Sequence, residues 1–85
     1  MYYVYTLQSL KNKDLYIGFS NDLKRRYQQH TNGEVRATQY SRPWKLVYYE
    51  AYFDKKDAIR RERQLKNHAA KNDLKKQIER SLDES

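Results

Sequence analysis

The segment YYVYTLQS, residues 2–9, constrains the fold more than any other part of the chain. It sets Tyr3, Tyr5 and Leu7 against Tyr2, Val4 and Thr6, with β-branched and aromatic side chains throughout, which predicts a strand. A polar turn, LKNKD, follows, and LYIGFS at residues 15–20 is the natural return strand of a hairpin. One residue sits awkwardly in that pairing. Gly18 lies inside the second strand, where glycine weakens the ladder and marks a bulge, close helix packing, or the close approach of another backbone or a ligand.

The rest of the chain supplies helices. SND at 20–22 offers three capping residue types ahead of LKRRYQQH, so a helix begins near Asn21 or Asp22, and Gly33 is placed to stop it. Residues 31–43 show no periodicity and end at the only proline, which predicts a long loop of the kind that is usually functional or mobile. WKLVYYEAYF (44–53) reads as a third strand, and Asp54 caps a helix over KKDAIRRERQLKNH. Ala58, Ile59, Glu62 and Leu65 then share one side of that helix, and Arg60, Arg61 and Arg63 can face water. In KNDLKKQIERSL, Leu74, Ile78 and Leu82 recur at spacing four and predict a basic C-terminal helix over about residues 70–82. Strand, strand, helix, strand, helix, helix is the order of an α+β domain with a small, mostly antiparallel sheet covered by helices.

At 85 residues this is one domain, 1–85, close to the lower limit for folding on a hydrophobic core alone. With no cysteine, neither disulfides nor thiolate zinc sites reinforce it. The mean hydropathy of −1.25 is low enough to raise disorder. Twelve aromatic residues, nine of them tyrosine, argue instead for a folded chain with a thin core of tyrosine rings. The opening MYYVYTLQSL is too short and too polar to cross a membrane and has no basic leader, so a soluble, cytoplasmic protein without a membrane partner is expected. The net charge is +7, and residues 55–80 carry ten Lys/Arg against four Asp/Glu. That imbalance points to a polyanion, with nucleic acid first, although a charge run is equally often a solvated face.

Three side chains stand where solvating residues are not expected. Arg26 and His30, four apart, share a helix side with Leu23 and Tyr27, while Lys24, Arg25, Gln28 and Gln29 point elsewhere. An arginine there can bury its stem and pair with a carboxylate, or grip a phosphate bidentately with His30 moving a proton nearby. Glu62 lies between Ile59 and Leu65 and needs a partner: an arginine such as Arg26, a hydrogen-bond network or a metal ion. Two glycines exclude a Gly-rich phosphate loop, and HExxH, CxxC and Gly-x-Ser-x-Gly are all absent. His68 is expected to meet carbonyls at a helix end, and Trp44 to pack in the core.

Together these residues resemble the GIY-YIG nuclease family. YVY (Tyr3–Tyr5) matches its first motif, and YIG (Tyr16–Gly18) is its second, intact. Tyr5 to Tyr16 is eleven residues, Tyr16 to Arg26 ten and Arg26 to His30 four, all in the family's pattern. RPWKLVYYE followed by AIRRERQLK resembles its small, single-domain bacterial branch, and the likeness covers about residues 2–67. Tyr3 stands where the family name has glycine, and of Asn67 and Asn72 neither is assigned to the family's further asparagine.

The resemblance implies a three-stranded antiparallel sheet flanked by helices and a Mg²⁺- or Mn²⁺-dependent endonuclease hydrolysing DNA. Its site residues would be Tyr5, Tyr16, Arg26, His30 and Glu62. Glu62 would hold the metal, Arg26 the scissile phosphate, and Tyr5 or His30 would serve as general base, with no small-molecule substrate. Lys24, Arg25, Arg36, Arg42 and Lys66 are the expected nucleic-acid contacts. Specificity would come from DNA structure (a flap, branch or nick), a partner or dimerisation. A non-catalytic nucleic-acid-binding module on the same fold is the alternative, and an RNA-associated basic protein a third reading.

Overall fold

A computed structural model describes residues 1–83. β1 (Tyr2–Ser9) and β2 (Leu15–Ser20) form the hairpin, followed by α1 (Leu23–Thr31), β3 (Trp44–Tyr52), α2 (Lys55–Leu65) and α3 (His68–Gln77). The strands are antiparallel in the order β2-β1-β3, so the fold is α+β with a three-stranded antiparallel sheet flanked by helices, as expected. No helix among the described residues is long and apolar enough to cross a membrane.

β1 is the central strand, and Val4 through Ser9 are all buried because both of its faces are covered. Val4 and Ile17 pack with Ala58, Leu65, Leu74 and Ile78 beneath α2 and α3. Tyr5, Leu7 and Trp44 pack on the other face with Leu23 and Tyr27 of α1. The alternation in YYVYTLQS therefore sorts two different cores rather than a wet face from a dry one. Opposite the step from Thr6 to Leu7, β3 carries a register shift, which keeps Leu46 on the Tyr5 side and Tyr48 on the other.

Each helix start is fixed by a side-chain oxygen. Asp22 accepts from the Arg25 amide at 3.1 Å, Asp54 from Lys56 at 2.7 Å and Asn67 from Ala69 at 2.9 Å. Gly33, with φ +77°, follows the end of α1 in the left-handed region that glycine tolerates. The Asn67 cap explains two departures from sequence expectation. α2 stops at Leu65 instead of running to His68, and His68 opens α3, its Nε2 3.2 Å from the Asn72 amide nitrogen and not bonded to a carbonyl at the end of a helix. α3 ends at Gln77, and the apolar period continues through a 3₁₀ turn at Glu79–Ser81, with Ile78 and Leu82 still against the core.

Arg61 does not face water as its spacing implied. Its Nε and Nη2 donate to the two Glu50 oxygens at 2.8, 3.1 and 3.0 Å, and the hydroxyls of Tyr48 and Tyr52 donate to the same carboxylate. Tyr48, Glu50 and Tyr52 alternate on one face of β3, so this pairing bolts α2 to the sheet. Burial alone would raise the Glu50 pKa, but Arg61 and the two tyrosine donors outweigh it and hold the carboxyl below its usual value. We expect Arg61→Ala to cost about 2 kcal/mol, because it leaves a half-buried carboxylate short of its charged donor. Arg61→Lys should recover only part, since a lysine cannot reproduce the two-pronged contact. Urea unfolding followed by Trp44 fluorescence measures both.

Candidate active site

Gly18 is the Cα partner of Tyr5 across the hairpin, and the Tyr5 ring lies directly over it. A Cβ placed on Gly18 would come within 2.4 Å of the Tyr5 Cζ and hydroxyl oxygen. The glycine is thus a passage through which the central strand sends a phenol across β2 toward α1. There the Tyr5 hydroxyl lies 2.8 Å from His30 Nε2. His30 is fully buried, with its ring edge-on to those of Tyr5 (5.6 Å between centroids) and Tyr16 (5.2 Å). Its Nδ1 is 2.7 Å from Thr38 Oγ1.

Burial pushes the Tyr5 hydroxyl up to about 12. The hydrogen-bonded Arg26 guanidinium partly opposes this, while Tyr16 and the charge of Glu62 add to it. Burial, then the positive charge of Arg26, lowers His30 to about 4. At neutral pH the pair is a phenol and an uncharged imidazole, and a proton passing between His30 and solvent must go through its partners. Arg26 is half-buried and forms no ion pair among the described residues; its Nη1 donates to Gln29 Oε1 at 3.0 Å. Gln29, read from spacing as a solvated residue, instead shapes the guanidinium's position. The salt bridge from Glu62 to Arg26 that the sequence allowed is not formed, and Glu62 pairs with Lys66 one turn on, at 3.4 Å.

Tyr5, Tyr16, Arg26 and His30 thus converge from β1, β2 and α1, and Glu62 of α2 lies near enough for its charge to act on the Tyr5 hydroxyl. Beside Arg26 opens a cleft of about 380 Å³ between the end of β2, α1 and the start of α2, whose walls include Phe19, Arg25, Gln29 and Lys55. Of the expected nucleic-acid contacts, Arg25 lines this cleft and Lys66 sits on Glu62. Lys24 lies on another flank of α1, near Tyr3 and Tyr49. Arg42 folds over Gly33 and donates from Nε to the Gln39 carbonyl at 2.9 Å. Arg36 is exposed on the loop. Ile59, grouped by spacing with Ala58, is only half-buried and borders an outer groove with Lys56, Arg60 and Arg63. Thr38 and Lys55 escaped the sequence reading. The only trace of Thr38 is its spacing of three from Val35, the other buried residue of that loop.

No cluster of three or more metal-ligating side chains occurs among the described residues. Asp22 lines the cleft but its carboxylate caps α1, whereas Glu62 offers a carboxylate that is partly exposed and held by a long ion pair to a lysine. One carboxylate fits an ion that keeps its waters and takes phosphate oxygens, as magnesium does, and not a caged structural ion.

Two outcomes follow from this geometry. Gly18→Ala should destabilise the fold by about 2–3 kcal/mol, because a methyl group cannot share the space of the Tyr5 ring, and thermal unfolding reads this directly. The depressed His30 pKa gives the second. The unfolded chain takes up a proton near pH 6.5, and the folded chain not until about 4. The contribution of His30 is therefore fully present above 6.5 and is lost as the pH falls toward 4, by at most about 3 kcal/mol. Urea midpoints at pH 7.5 and 4.5 should fall less for His30→Gln than for the wild type.

The model of the GIY-YIG catalytic domain matches residues 1–77. A UPF0213 protein of Staphylococcus saprophyticus is 33% identical over 75 residues, covering 87% of this chain and 90% of the relative. One from Clostridium perfringens is 40% identical over 67 residues, covering 78% and 71%. The solution NMR structure of a UPF0213 protein from Bacillus halodurans superposes with a TM-score of 0.54 at 32% identity, covering 87% of this chain and 82% of that one. With its catalytic-domain match across most of its length, the chain belongs to the GIY-YIG family, whose nucleases in general act on DNA with divalent metal ions.

Proposed function

We propose that this protein is an endonuclease that hydrolyses DNA phosphodiesters with Mg²⁺ or Mn²⁺ held at Glu62. The observation that supports it most is the packing of Tyr5, Tyr16 and His30 behind Arg26, which lines a basic cleft, with the charge of Glu62 acting on the same Tyr5 hydroxyl. A merely structural arginine would have found a carboxylate, yet Arg26 keeps its guanidinium free of any among the described residues.

In this reading Arg26 takes the nonbridging oxygens of the scissile phosphate and stabilises the charge that grows on them as water attacks phosphorus. The Tyr5 oxygen, at the same place, orients the attacking water through a hydrogen bond. Tyr16 packs against His30 and keeps the imidazole in position. Arg25 and Lys55 hold neighbouring phosphates, a contact that is sensitive to salt and blind to sequence. Lys66, which now pairs with Glu62, would be free to contact DNA phosphate were that carboxylate to hold a cation. A bound divalent ion supplies Lewis-acid stabilisation to the phosphate oxygens and the departing 3′ oxygen. So small a contact surface reads DNA shape rather than base sequence, which suits a role in DNA repair or processing.

The test is cleavage of labelled single-stranded, duplex, nicked, flap and branched DNAs with magnesium, manganese or chelator. Glu62→Ala and Arg26→Ala should each lower the rate at least 100-fold, a loss in the range seen when a single charge-stabilising group is removed. Glu62→Ala should bind DNA as well as the wild type in a mobility-shift assay. A wild type that binds DNA yet cuts none of these substrates would make the chain a binding module that retains the fold.

A further inference from the structure

We propose that Thr38 is a positioning residue that fixes the His30 tautomer and thereby makes the Tyr5 oxygen a hydrogen-bond acceptor toward the cleft. The inference rests on the nuclease reading above and adds a residue to it. Thr38 belongs to the loop that the sequence leaves without pattern, yet it is fully buried and held at several points. Its amide donates to the Val35 carbonyl at 3.1 Å. Its own carbonyl accepts from the Ser41 amide at 3.2 Å and from the Trp44 indole N–H at 2.8 Å. Trp44 in turn packs edge-on to Tyr16, so one indole braces both the threonine and the ring next to His30.

The hydroxyl carries the argument. Thr38 Oγ1 has two neighbours, the Val35 carbonyl at 3.3 Å and His30 Nδ1 at 2.7 Å. A carbonyl can only accept, so the Val35 contact is a hydrogen bond only when the threonine proton points to it. The shorter contact is then a donation from Nδ1–H of the imidazole to Oγ1. With its proton on Nδ1, the ring presents a bare Nε2 to Tyr5, 2.8 Å away, and the Tyr5 O–H donates to it. Every donor in the buried chain then has an acceptor: Tyr5 to His30, His30 to Thr38, Thr38 to Val35.

The consequence falls on the oxygen at the end of the chain. With its proton directed inward, Tyr5 has its lone pairs left for the Arg26 guanidinium, which lines the cleft. The opposite tautomer would place Nε2–H against the Tyr5 oxygen and use up one of those lone pairs. Thr38 therefore touches neither phosphate nor water and acts entirely through two other side chains.

The long-range ¹H–¹⁵N spectrum of the imidazole tests this, in a His68→Gln background that removes the other histidine. The wild type should show a protonated Nδ1 and a bare Nε2. Thr38→Val, which loses the hydroxyl at nearly constant shape, should move the proton toward Nε2. On the best DNA substrate it should lower kcat at least tenfold with KM within twofold, and Thr38→Ser should return to within threefold of the wild type. Should Thr38→Val fail to fold by circular dichroism, Thr38→Ala makes the same comparison. A wild-type ring protonated at Nε2 overturns the proposal. So does a Thr38→Val protein with wild-type kcat, or a Thr38→Ser protein no better than the valine variant. A wild type inert on every DNA would sink the nuclease reading instead, and the ring signals alone would then decide the relay.

Discussion

Everything at the cleft depends on one steric allowance, the passage of the Tyr5 ring over the bare backbone of Gly18. Tyr5 starts on the central strand, inside the core, and its hydroxyl must emerge beyond β2 beside α1. A side chain on Gly18 would close that route. The ring is also part of the core it leaves, packing with Leu7 and Trp44, so the group that reaches the site is held by the same contacts that hold the sheet. A small domain gains rigidity at its site in this way without spending residues on a separate support.

The placement of charge follows from burial. The imidazole is kept neutral because no water reaches it and Arg26 already supplies a positive charge. Burial also keeps the phenol protonated, against the opposing pull of the Arg26 guanidinium. Net charge beside the neutral pair is therefore carried by Arg26, with Arg25 and Lys55 in the cleft walls and Glu62 near enough to act on Tyr5. That division suits a ligand bearing negative charge that brings its own cations.

The backbone pattern was legible wherever local chemistry decides it. Strand alternation, the Asp22 and Asp54 caps and the Gly33 stop all lie within a few residues of what they control, whereas the fully antiparallel sheet was implied by the family resemblance. Long-range pairing was not legible. Arg61 has the spacing of a solvated residue on α2, and only the approach of Glu50 from a strand eleven positions earlier gives it a partner. Thr38 sits in a segment without periodicity because its burial comes from Trp44 and His30, not from a helix or strand of its own. Gly18 raised the right question in the sequence, and only the coordinates name the ring that passes over it. The motif spacing marked the residues that gather, since Tyr5, Tyr16, Arg26 and His30 all lie along one hairpin and the helix after it.

The grip of Arg61 on Glu50 has a further consequence for α2. Successive side chains on a helix point about 100° apart, so fixing the azimuth of residue 61 also fixes that of residue 62. Arg61 is clamped to β3, and Glu62 is the very next side chain on the same turn. The edge strand β3 thus acts as an index pin for the carboxylate on α2, while Arg26 is indexed independently by α1 on the opposite face. The azimuths of the two charged side chains are then set from the two sides of one sheet, and not by a bond between them.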